Sequence, residues 1–250
     1  MTTRHPMFIG VLLFMMASCG GLKYQINDAL VADVPVAEKQ GVLEMQDEQA
    51  WLKQQRSLAR SEHNIAERDL SVARAEYGIA KLGVDQVQAD LELAKSTTDL
   101  NRIGRAKARL AVAELGRSAA DTKLALRKMQ VQHAAQTVRV VEAQQQQAAT
   151  RYEQEKARLA ASKGKVPYEK FSLIQFDAQV SEAQAKLDKE RVEEDKLRQE
   201  IAQIEGRYQV EKQHFEAARR SAPTQAIPPA SLLARPSQYD PAQPGAMPPL

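Results

Sequence analysis

Ile103-Gly-Arg-Ala-Lys-Ala-Arg-Leu-Ala-Val-Ala-Glu-Leu-Gly-Arg-Ser-Ala-Ala-Asp-Thr-Lys-Leu124 opens the stretch that decides the fold. Stepping by seven from Ile103 gives Leu110, Arg117, Leu124, Val131, Val138, Gln145, Tyr152, Leu159, Val166, Leu173, Val180, Leu187, Glu194, Ile201, Tyr208 and Phe215. Fourteen of these seventeen positions are apolar, where a 43% apolar composition alone gives about seven. Positions three residues further on include Ala106, Ala113, Ala120, Val141, Phe176, Leu197 and Ile204. Alternating three- and four-residue steps put both sets on one seam, and a strict seven-residue repeat winds helices around each other with a left-handed twist. The predicted fold class is therefore all-α: a long antiparallel coiled coil, either a three-helix rod or a helical hairpin.

Composition agrees. Aromatic residues make up 5% of the 250 and charged residues 27%, which suits helices burying a narrow stripe and excludes thick sheet-based cores. The net charge of +3 comes from 35 basic and 32 acidic residues that alternate along the chain. No basic block exists to release counterions from a phosphate backbone, so nucleic-acid binding is not expected.

An upstream seam runs through Ala59, Ala66, Leu70, Ala73, Tyr77, Ala80, Val84, Val87, Leu91 and Ala94, widened by Leu58, Ile65, Val72 and Ile79. A helix with so wide an apolar face is expected to meet more than one neighbour, a second copy of the chain included. Its phase does not match the later seam. The slip falls in Lys95-Ser-Thr-Thr-Asp-Leu-Asn-Arg102, which is either a turn or a stutter in a continuous helix. A second break, Ser162-Lys-Gly-Lys-Val-Pro-Tyr168, carries a glycine suited to ending a helix in the left-handed conformation and a proline suited to starting the next. The helical region is read as 38–220, with turns near 96–102 and 162–168. If the chain folds back near 165, facing residue numbers total about 331. That register places Arg117 within about a turn of Glu211, and Arg127 near Glu200 or Glu205, so seam ion pairs are expected there. The proline-rich stretch 221–250 reads as a disordered tail, and 19–37 as a tether.

Arg4 and His5 precede the apolar run Met7-Phe-Ile-Gly-Val-Leu-Leu-Phe-Met-Met-Ala17, too short to span a bilayer and suited to a signal peptide over residues 1–18. Met16-Ala-Ser-Cys-Gly20 follows and resembles the lipobox of bacterial lipoproteins. The resemblance implies cleavage before Cys19, the only cysteine, and acylation of its thiol and new amino terminus. It implies a membrane partner through the lipid anchor. Gly20, where inner-membrane retention uses Asp, favours the outer membrane facing the periplasm.

The stretch Arg158-Leu-Ala-Ala-Ser-Lys-Gly-Lys-Val-Pro-Tyr-Glu-Lys-Phe-Ser-Leu-Ile-Gln-Phe-Asp-Ala-Gln-Val-Ser-Glu-Ala-Gln-Ala-Lys-Leu187 is similar to the hairpin tips of periplasmic adaptor (membrane-fusion) proteins and of outer-membrane efflux channels. At the spacing where adaptor tips carry Arg, Leu and Ser, this chain has Lys156, Ala160 and Pro167. The resemblance implies an envelope protein partner met through Lys163, Gly164, Lys165, Val166, Pro167 and Tyr168.

No catalytic or metal-binding constellation is expected. His63, His133 and His214 are far apart in sequence, and none has a partner at ligand spacing. Gly164-Lys165 lacks the Ser or Thr of a phosphate loop, because Val166 follows. Solvated glutamates on thin helices lack the enclosed cleft that tunes catalytic carboxylates. No cofactor and no small-molecule substrate are expected. The functional expectation is a non-enzymatic, lipid-anchored spacer, scaffold or tether of the envelope. The alternative is an accessory of an export or efflux machine docking through the second turn.

Overall fold

The computed structural model describes residues 22–165 and 171–222. The signal segment, Cys19, Val166, Pro167, Tyr168 and the proline-rich stretch from 223 lie outside them. A single turn of helix, α1 (Ala29–Ala32), and a 3-10 turn (Val36–Glu38) precede three long helices: α2 (Gln40–Ser96), α3 (Leu100–Ser162) and α4 (Leu173–Ser221). The long helices pack against one another, and the described residues contain no strand. The fold is all-α.

The break after Lys95 is a turn. Ser96 and Thr97 donate their hydroxyls back to the carbonyls of Leu93 and Ala94, both at 2.7 Å, ending α2. Thr98 takes a positive φ of 55°. Asp99 then caps α3: its Oδ1 accepts the N–H groups of Asn101 at 2.9 Å and Arg102 at 3.2 Å. Leu91, Ala94 and Ala106 are buried together beneath this turn, with Ile103 and Leu110 against them.

The described residues fall into two compact units: 22–75, 123–165 and 171–206 form the first, 76–122 and 207–222 the second. In the first unit α3 has a neighbour on each side. Between His133 and Ala157 only Arg139 and Arg151 are exposed. Toward α2, Glu142 accepts Arg56 at 2.6 Å and Arg60 at 3.1 Å, and Arg127 meets Asp69 at 3.2 Å. Toward α4, Thr137 donates to Glu194 at 2.8 Å, Gln154 to Asp177 at 2.5 Å, and Gln147 to Gln184. These α3–α4 partners total about 331, the antiparallel register that follows from a turn near 165. Val140, Ala143 and Leu187 form a buried cluster between the same two helices.

The expected seam ion pairs do not form. In the second unit Glu211 accepts hydroxyls from Ser118 at 3.2 Å and Thr122 at 2.7 Å, while Arg117 is exposed. Register fixes the level of a residue along a helix but not its azimuth. Arg117 is one residue, about 100° of helical rotation, from Ser118. Arg127 stands in the first unit and is taken by Asp69 of α2 and by Gln130 at 2.7 Å, so neither Glu200 nor Glu205 pairs with it. The same second unit shows close helix approach at Gly116, where an added Cβ would stand 2.9 Å from the Phe215 ring.

On α2 of the first unit the buried seam is Val42, Leu52, Ala59, Leu70 and Ala73. Trp51, Leu58, Ile65 and Val72, spaced by seven, form a second row that stays more than half exposed, at 57%, 51%, 54% and 57%.

Candidate functional site

The part of the first unit that departs from plain helix packing is the end where α3 stops and α4 begins. Gly164 has φ +66°, the left-handed conformation that a glycine adopts without a Cβ clash. Its N–H donates to the Ala161 carbonyl at 3.0 Å, and the N–H of Lys165 reaches the Ala160 carbonyl at 2.9 Å. This pair of bonds is the Schellman arrangement, which satisfies the last carbonyls of α3.

The segment from Leu22 to Lys39 lies against this end of the two helices. It was expected as a tether, and that expectation is corrected for its described part: the segment is a docked strap. Ile26 is 3% exposed and packs with Ala157 and Phe176, both fully buried. Tyr24, Leu30 and Phe171 close over that cluster, with the Tyr24 and Phe171 rings 5.9 Å and 6.0 Å from the Phe176 ring. Val31 and Val34 are buried too. Polar contacts fix the strap in place. Gln179 reads the Tyr24 backbone in both directions, accepting its N–H at 3.1 Å and donating to its carbonyl at 3.4 Å. Lys23 pairs with Glu182 at 3.3 Å.

At the centre is a buried charge pair. Lys156 and Glu153, one turn apart on α3, have side chains only 3% and 9% exposed. Glu153 Oε2 accepts the Ile26 N–H at 2.6 Å, and its Oε1 accepts Lys156 Nζ at 2.9 Å. Lys156 also donates to Asp28 of the strap at 2.6 Å and stands 4.7 Å from the centre of the Tyr152 ring. Burial works against the ammonium. Hydrogen bonds to Asp28 and Glu153 and the nearby negative charge outweigh it, so the Lys156 pKa lies above its ordinary 10.5. Burial also raises the Tyr152 phenol, with Lys156 opposing and Asp28 and Glu153 adding. Lys156 is thus held in its charged form by the strap and by α3.

The strap also occupies the lysines expected at the tip. Lys163 pairs with Glu38, and Lys165 donates to the Leu30 carbonyl at 3.2 Å with Asp33 3.8 Å away. Lys156 and Ala160 of the adaptor-like spacing are buried. Periodicity places Phe176 on the seam but misses Tyr24, Ile26, Asp28, Glu153 and Gln179. The one available signal was a Glu and a Lys three residues apart on a helix otherwise rich in Ala.

Two open grooves flank α3 in the first unit. One, about 480 Å³, lies toward α2 and is lined by Lys53, Arg56, Arg60 and Gln145; the other, about 510 Å³, lies toward α4 beside Gln136, Arg139 and Lys189. Among the described residues no group of three His, Cys, Asp or Glu could hold a metal ion, and no helix is long and apolar enough to cross a membrane. No protein-family model matches the chain, and no curated protein or solved structure does either.

Proposed function

We propose that this chain is a non-enzymatic, lipid-anchored coiled-coil protein of the bacterial envelope, serving as a periplasmic spacer, scaffold or tether. The observation that carries the reading is the strap. The segment following Cys19 is bolted to the helices through the Lys156–Glu153 pair, so a load on the anchor passes directly into α3 and α4. A linker that only attached the helices to a membrane would need no buried charges. The exposed row from Trp51 to Val72 supplies a seven-residue repeat on which a second copy of α2 can pair.

Metabolic labelling with radioactive palmitate, followed by membrane fractionation, tests the anchor. The intact chain takes up label and sediments with outer membranes; Cys19→Ser loses both. An unlabelled, freely soluble wild-type chain refutes the reading. The export-accessory alternative requires a partner at the second turn. Photo-crosslinking from position 165 in cells, with position 128 as control, captures a discrete envelope protein only if that alternative holds.

A further inference from the structure

We infer that the docked strap holds the α3–α4 turn end of the first unit at the lipid surface that receives the acyl chains of Cys19; the inference rests on the lipid-anchor reading above. Chain length carries it. Were residues 20–38 free, they would let the helices stand up to about 60 Å from the anchor at roughly 3.3 Å per residue. Docking removes nearly all of that reach. Lys23 is paired with Glu182, Tyr24 is held by Gln179, and Ile26 is held by Glu153. From Cys19 to Lys23 is about 13 Å of extended chain at most. Glu182 lies about 14 Å along α4 from its first residue, Leu173. With the Lys23–Glu182 side-chain bridge between them counted, the turn end is confined within about 40 Å of the anchor, whatever angle the helices adopt.

Among the described residues, four lysines at this end are already paired. Lys23, Lys156, Lys163 and Lys165 all have carboxylate partners on the strap, on α3 or on α4. The lipid partner is thus engaged through the acyl anchor and the short link. A turn held there is not free to extend away from the membrane as the distal tip of a long tether.

The test uses the full lipidated chain in vesicles of phosphatidylethanolamine and phosphatidylglycerol with an acceptor dye on the headgroups. Acylation blocks Cys19, so Ser162→Cys or Lys128→Cys supplies the one free thiol for a short-range donor. Both native residues are exposed, and they are about 50 Å apart along α3. Energy transfer to the lipid is expected to be several-fold stronger from 162 than from 128. Two changes should abolish that excess. Ile26→Asp releases the strap, and a flexible Gly/Ser insertion of about twenty residues between Gly21 and Leu22 lengthens the link without touching the fold. Transfer from 162 no stronger than from 128 and weak at both, or strong transfer from 162 that survives the insertion, overturns the inference while leaving the anchor intact. A chain that takes up no palmitate removes the anchor reading, and this inference with it.

Discussion

The two helix–helix turns are built on opposite principles. The first, between Ser96 and Leu100, closes on its own sequence: two hydroxyls end α2, Asp99 caps α3, and Leu91, Ala94 and Ala106 fill the space beneath. The second, after Ser162, has its own glycine cap but is also overlaid by a segment more than a hundred residues away in the chain. Local chemistry is enough to reverse a helix. Burying a lysine and a glutamate beside such a reversal is costly and adds nothing to turning the chain. The charges at the second turn fasten something, and what they fasten is the strap.

Breaking the buried pair should separate the two turns most sharply. Lys156→Met leaves Glu153 buried without its cation, and loss of about 3–5 kcal/mol from the first unit is expected in denaturant unfolding. Amide exchange at Tyr24 and Ile26 should accelerate, while the amides of Asn101 and Arg102 keep their protection. Next comes Phe176→Ala, which empties the fully buried centre of the strap cluster, at about 3–4 kcal/mol with the same pattern of exchange. At the other turn, Asp99→Ala should cost only about 1 kcal/mol, read as fraying of the first turn of α3 by exchange at Asn101 and Arg102.

A pH series sharpens the contrast without mutation. Because the folded pKa of Lys156 is raised, its contribution is whole below the ordinary value of 10.5 and is lost as pH rises through the higher folded value. Melting followed by circular dichroism between about pH 8 and pH 11 should show a decline that begins only above about 10.5 and is absent in Lys156→Met. The smallest effect on stability is expected on the exposed row. Leu58→Lys with Ile65→Lys should change the unfolding free energy by about 0.5 kcal/mol or less. The same double change should remove any dimer seen by sedimentation, and a dimer that persists places self-association elsewhere.

What was legible in the sequence follows from the number of neighbours each helix has. α4 shows a single stripe, with Phe176, Ala183, Leu187, Glu194, Leu197, Ile201 and Ile204 all buried or half-buried, because α3 is the long helix it packs on and the strap reaches only its first turns. Its phase and the α3–α4 register could be read directly. Between His133 and Ala157 α3 is covered on two sides, so its covered positions run nearly all round the helix and no single stripe describes it. That second neighbour is also why Arg127 went to Asp69: a register drawn for two helices leaves out the third. The candidate site was the least legible part. Residues 22–39 contain one helical turn and one 3-10 turn, and have no period to detect. Their apolar residues, Ile26, Val31 and Val34, read as scattered until the partners that bury them are known.

The distances along the chain between the strap and its partners also set the order of folding. Ile26 waits for Glu153, 127 residues later, and Tyr24 for Gln179, 155 residues later. Whether at synthesis or at export, the strap is delivered first and its docking surface last, so the amino-terminal segment is out well before it has anything to bind. The α3–α4 hairpin, whose contacts grow outward from its own turn, can zip as it emerges. Strap closure joins the most distant residues of the first unit and should be its slowest folding step. Until then Ile26, Val31 and Val34 remain open to whatever receives nascent chains.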